Sequence, residues 1–271
     1  MGLFTFREPG GQRVGKTMHL PRALYEFMYR TRNRIRDLAL MRDIAIEGRR
    51  RRNLSDTTCD NSPGTDSETI ESCRRWLEDY IARPHPELGR SGDVCPFVRP
   101  ALKKDKLRLV VCDHVIRPDM AVIRRSLLWE GMALRKRLDP ADRDSELNSV
   151  VLVFPNLVAG DAAVLHDAFM DAYQHLNRRG IMLAVFYPGY DKPGLRNREF
   201  RLYQSPVPAA ALRPMALHDI LFVSHDREGF LEYHRQFVKQ YRQGKVAESS
   251  GFIGEFERAE QRFGSLLDAA E

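Results

Sequence analysis

Two short apolar runs, Val150–Phe154 and Ile181–Tyr187, constrain what this chain can fold into more than any other feature. Both are uninterrupted and rich in β-branched or aromatic residues, so a strand formed from either is covered on both faces, as inside a sheet flanked by helices. Segments of helical period surround them. Glu68–Ala82 carries Ile70, Cys73, Leu77, Tyr80 and Ile81 on one stripe, and Met120–Leu138 carries Ile123, Leu127, Leu128 and Leu134. Asp161–Arg179 opens with an acid, where the helix dipole favours one. Gly229–Arg242 and Gly254–Ala270 are further helices. Leu107–Cys112 is a third strand, and Ser205–Ala211 reads as an edge strand, because Pro206 and Pro208 exclude a central one. The expected fold is α/β or α+β, with a small mixed sheet packed by helices.

Charge divides the chain. Residues 1–53 hold 13 Lys plus Arg against 5 Asp plus Glu, whereas residues 54–271 hold 30 against 32. All the excess positive charge therefore belongs to a basic N-terminal arm, residues 1–52, ahead of a nearly neutral domain. Within the arm, Leu20–Glu47 reads as an amphipathic helix with Leu24, Phe27, Ile35 and Leu38 at helical spacing and arginines on the other faces. Residues 53–67, rich in Ser, Thr, Asp and Asn, read as a flexible linker, and residues 68–271 as one globular domain. The basic helix suits an anionic surface or a protein partner, or simply stays solvated. No aromatic interleaving, DNA-reading motif or repeat points to nucleic acid.

No apolar run approaches the roughly 18 residues of a membrane span, and the first residues lack a secretory pattern, so the expected address is cytoplasmic. Four cysteines, Cys59, Cys73, Cys95 and Cys112, have no zinc-ligand spacing and are expected to be reduced thiols. Gly10–Thr17 satisfies GxxxxGK[ST], the loop whose amides and lysine cradle nucleotide phosphates. Its context is wrong: Pro9 precedes it, Pro21 falls one turn after Thr17, and the linker separates it from every other strand. Nucleotide binding there is the weakest of three functional readings.

An ordered set of short segments carries a family likeness. Trp76-Leu-Glu-Asp-Tyr80 leads into Arg83-Pro-His-Pro-Glu-Leu-Gly-Arg90 and Cys95-Pro-Phe-Val98; Phe154-Pro-Asn156, Phe186-Tyr-Pro188, Pro193-Gly-Leu-Arg-Asn-Arg-Glu-Phe200 and Ser205-Pro-Val-Pro208 follow. In this order they resemble an uncharacterised bacterial domain family of actinobacterial type, over Trp76–Pro100 and Val150–Val223. More distantly, the Cys-Pro-Phe opening and the strand order are similar to YqcI/YcgG-type proteins, some of which are haem-dependent N-hydroxylases of natural-product pathways. The chain departs from the nearer pattern at Tyr187, where the family has His, at Gln204, where it has Arg, and at Pro214, where it has His or Phe.

If the likeness marks a pocket, the chemistry follows from the residue types. Cys95 before Pro96 is an arrangement found at some thiolate-ligated haem sites, and His85 is an imidazole that can ligate; Cys95 reads equally as a small buried hydrophobe, and His85 as a turn residue. Tyr187, at a strand's end, is a candidate phenolic acid. Arg196, Asn197, Arg198 and Arg201 form a basic loop able to hold a carboxylate or a haem propionate, and read equally as a solvated loop. Ser205 has no GxSxG turn and reads as a binding residue, and the remaining histidines form no HExxH-type pair. The leading expectation is a small-molecule enzyme or cofactor-binding protein of secondary metabolism, with haem the cofactor that the distant resemblance implies. Its rival is a non-catalytic scaffold that docks through Leu20–Glu47.

Overall fold

The computed structural model describes residues 42, 45, 67–194, 196–247 and 251–267. The Gly10–Thr17 loop, the linker and, apart from Arg42 and Ala45, the Leu20–Glu47 helix lie outside the described residues.

The domain is α+β. Its sheet has four strands, β1 (Leu107–Val111), β2 (Ser149–Val153), β3 (Ile181–Phe186) and β4 (Ala209–Pro214), in the order β1-β2-β4-β3. β1 and β2 are parallel, and β4 runs antiparallel to both of its neighbours. Among the described residues from Ser67 on, the α-helices are α1 (Ser67–Trp76), α2 (Val98–Lys103), α3 (Met120–Arg137), α4 (Ala162–Asn177), α5 (Ile220–Val223), α6 (Arg227–Arg242) and α7 (Phe252–Leu267).

The position of β4 corrects the sequence reading. Ser205–Ala211 was expected at an edge, yet the strand occupies the interior between β2 and β3. The prolines do not obstruct it because they precede the ladder: the carbonyl of Pro208 accepts the Phe154 N–H at 2.9 Å, and pairing starts at Ala209. Pro214, the strand's one proline, is its last residue, where the missing N–H costs little.

Alternation along the strands divides the core. Val151, Val153 and Ala209 face Cys73, Leu77 and Ile81 of the first helical segment. On the other side α3 and α4 pack against each other, α3 on β2 and β4 and α4 on β3. Asp119 starts α3 by accepting the amides of Ala121 and Val122 at 2.9 and 3.1 Å, satisfying two of the orphan donors of its first turn. Gly131 allows the close approach of α4, since a Cβ there would lie 2.5 Å from Cδ2 of the buried Leu176. A second core joins Met182 and Met215 to α5, α6 and α7 through Phe230, Tyr233 and Phe256. Among the described residues, no helix is long and apolar enough to cross a membrane.

Candidate functional site

Helix α1 does not end at Trp76. It widens into a π-helical turn, Leu77–Ile81, whose Leu77 and Ile81 stay buried on the sheet. Such turns are rare and often mark functional positions. Here the turn directs Trp76 and Tyr80 to one groove. Trp76 is anchored on both sides: its indole N–H donates to the carbonyl of Gln204 at 3.0 Å, and its ring meets Phe186 edge-on at 5.2 Å.

The next wall is the His85 loop. His85 is extended, as a residue before proline prefers, and its Nδ1 accepts the Glu87 amide at 3.3 Å. That bond assigns the ring proton to Nε2, which has no partner among the described residues. The imidazole stacks on Phe200 with centroids 4.5 Å apart, and Tyr80 meets His85 edge-on at 5.8 Å. The loop carrying Phe200 is docked here by Asn197, whose Nδ2 donates to the Glu87 carbonyl at 2.8 Å. Gly89 permits this in two ways: it adopts a left-handed φ of 72°, and a Cβ there would sit 3.2 Å from Cβ of Arg196.

The result is an open groove of about 520 Å³, walled by Trp76, Tyr80, His85 and Phe200 and rimmed by Glu87, Glu199, Arg201, Gln204 and Ser205. Its charges are unevenly satisfied. Arg201 donates through Nε to Asp191 and through Nη1 to the Arg198 carbonyl. The carboxylates of Glu87 and Glu199 have no hydrogen-bond or ion-pair partner among the described residues. Burial, and then the negative charge of Glu87, push the Tyr80 hydroxyl above the usual phenol range. Ser205 is buried, and its hydroxyl donates to the Val207 carbonyl at 2.5 Å, so it braces the turn before β4.

The structure therefore brings His85, Arg201 and Ser205 to one groove, with Asn197 as the clasp between its two loops. Arg196 is exposed beside Gly89. Cys95 lies elsewhere: its amide donates to the Ile81 carbonyl, and its side chain packs among the apolar residues beneath α1. Tyr187 does not line the groove; it is stacked on Tyr190 at 4.1 Å, in a run of rings that reaches Trp76 through Tyr203 and Phe186, and Tyr190 in turn reaches His166 Nδ1 at 3.4 Å. Burial, followed by Tyr190, raises the Tyr187 pKa. The sequence reading did not single out Trp76, Tyr80, Glu87, Glu199, Phe200 or Gln204 as site residues. All but Gln204 sit inside the ordered segments that carried the likeness, so the signal was present as position and not as residue chemistry. Among the described residues, no group of three or more His, Cys, Asp or Glu is placed to hold a metal ion.

A family model for a domain of unknown function, DUF6875, matches residues 70–248. The chain belongs to this family. No curated protein and no solved structure matches the chain. The match spans every wall of the groove, whereas α7 lies beyond its end. Within the second core, then, a helix outside the DUF6875 match completes the packing around Phe230 and Tyr233.

Haem does not fit the DUF6875 groove. The two thiolate and imidazole candidates do not converge, because Cys95 is not among the groove's residues. A porphyrin has two broad apolar faces and anionic propionates, while this groove is open and rimmed by two unpaired carboxylates, and its one arginine already meets Asp191. Protein purified from haem-replete cells is expected to show no Soret band. A Soret band abolished by His85→Ala would instead mean that His85 ligates haem.

Proposed function

We propose that this DUF6875 domain binds a small organic molecule in the groove between Trp76, His85 and Phe200. One observation carries the reading: segments far apart in the chain converge on it, as the Trp76–Gln204 hydrogen bond across 128 residues illustrates. A π-turn, a pre-proline histidine, a left-handed glycine and an asparagine clasp all hold the same walls in place. Such convergence of aromatic walls and a few polar groups is the usual form of a ligand site. The groove also supports proton movement. His85 Nε2 and the carboxylates of Glu87 and Glu199 are groups of the kind that exchange a proton with a bound molecule, whereas the Tyr80 hydroxyl, held above the usual phenol range, serves as a hydrogen-bond donor.

The test is a ligand-observed NMR screen of pooled metabolites against the full chain and against Gln204→Trp. Gln204 is exposed and contributes only its backbone carbonyl to the structure, so the indole fills the groove without disturbing the core. Wild-type hits are expected to disappear in Gln204→Trp while the circular dichroism stays the same. A blank wild-type screen, or hits that survive the substitution, overturns the reading.

A further inference from the structure

The groove's aromatic walls and unpaired rim carboxylates indicate what kind of molecule it takes. Four aromatic residues, Trp76, Tyr80, His85 and Phe200, form the walls. Two carboxylates, Glu87 and Glu199, stand at the rim without an ion-pair partner among the described residues, and Arg201, the one arginine or lysine among the described residues lining the groove, is bound to Asp191. The domain's more buried acids are paired, Asp93 with Arg99, Glu130 with Arg108 and Asp219 with Arg213, while exposed acids such as Glu71 and Asp79 stand in solvent as Glu87 and Glu199 do, so it is the aromatic walls beside them that set this rim apart. Aromatic faces carry a negative quadrupole and attract cations, and carboxylates add directed, charge-assisted hydrogen bonds. An anionic ligand would meet two unpaired negative charges and a guanidinium already neutralised. A neutral apolar ligand would use the walls and leave the rim idle.

We infer that the groove binds an organic cation, an amine with an aromatic or aliphatic body, its ammonium at the Glu87/Glu199 rim and its body against the Trp76, Tyr80 and Phe200 walls. The inference rests on the groove reading above and adds the charge of the ligand. It also assigns the rim carboxylates a role as charge-selecting residues. Both are exposed, so neither is needed to build the fold.

Three probes that share a phenethyl body and differ in the charge of its end group separate charge from shape: 2-phenylethylamine, 2-phenylethanol and 3-phenylpropionate, titrated against the full chain by saturation-transfer NMR at low and at physiological salt. The amine is expected to bind about tenfold or more tighter than the alcohol, the size of one charge-assisted hydrogen bond, and the propionate weakest of the three. Salt should weaken the amine alone. The double variant Glu87→Gln with Glu199→Gln is expected to bring the amine to the level of the alcohol and leave the alcohol unchanged. If the alcohol and the propionate bind as well as the amine, and Gln204→Trp removes all three, the groove reading stands and the cation inference falls. An amine titration that is silent, or that the double glutamine variant does not change, also overturns the inference. If Gln204→Trp leaves every titration as it was, both readings fall together.

Discussion

Asp219→Ala is expected to lower the stability of the domain by about 3–5 kcal/mol, the loss that follows when one partner of a buried ion pair is removed. The Asp219 side chain is 0% exposed. Its two oxygens accept from Arg213 Nη1 at 2.7 Å and Nη2 at 2.6 Å, and Oδ2 also accepts the Ala216 amide at 2.8 Å. Arg213 is held in place further by the Phe97 ring, 4.6 Å from its Cζ, and by His218, whose own ring stacks on Phe97 at 5.0 Å. Truncating the aspartate leaves a guanidinium on the interior strand β4 with no counter-charge, and that uncompensated charge accounts for most of the loss. Urea denaturation with a common m-value would measure it. The double variant Arg213→Met with Asp219→Leu should recover part of the loss, since replacing a buried pair by apolar groups is often close to neutral. Recovery should be incomplete by about 1–3 kcal/mol, because the Ala216 amide stays orphaned. A single variant that costs under about 1 kcal/mol would mean that the pair is solvated in solution.

Acid should destabilise the protein through His175. This side chain is 6% exposed near the end of α4, and its Nδ1 accepts from Arg178 at 3.1 Å, which requires the neutral ring. Burial, then the charges of Arg178 and Arg124, lower its pKa from 6.5 to about 4; Asp171 opposes the shift and Arg179 adds to it. The sign follows from proton counting. Below pH 6.5 the unfolded chain binds a proton that the folded chain refuses, so stability falls as the pH drops from about 6.5 to about 4 and is unaffected above that window. The full shift corresponds to about 3 kcal/mol at the acid end. His175→Gln removes this titration while keeping an acceptor for Arg178. The stability difference between wild type and variant should therefore change by about 3 kcal/mol between pH 7 and pH 4, in favour of the variant on acidification. Urea melts at pH 7, 5.5 and 4 measure it, and taking the difference cancels the carboxylates common to both proteins. A pH-independent difference would show that His175 protonates freely in the folded state.

Local pattern was enough for most elements. The helical stripes of Glu68–Ala82 and Met120–Leu138, and the apolar runs at Val150 and Ile181, correspond to observed helices and strands with ends shifted by a few residues, because each buries a face whose period is written in consecutive side chains. Even the direction of the charge imbalance could be read by counting. Three features could not. The turn from α-helix to π-helix at Leu77 has no residue signature; it coincides with Trp76 being held from outside by Phe186 and Gln204. The interior place of the strand Ala209–Pro214 is the second: a strand was legible at Ser205–Ala211, but its prolines pointed to an edge, and only pairing with β2 on one side and β3 on the other puts it inside the sheet. The groove itself is the third. His85, Arg201 and Ser205 were recognisable by type, and the ordered segments marked their neighbourhood, but Cys95 and Tyr187 carried the same kind of signal and lie elsewhere. Side-chain period reports which face a residue occupies, not which distant loop will cover it. That was decided by the sheet order and by a few long-range bonds, Trp76 to Gln204 and Asn197 to Glu87, that no pattern along the chain encodes.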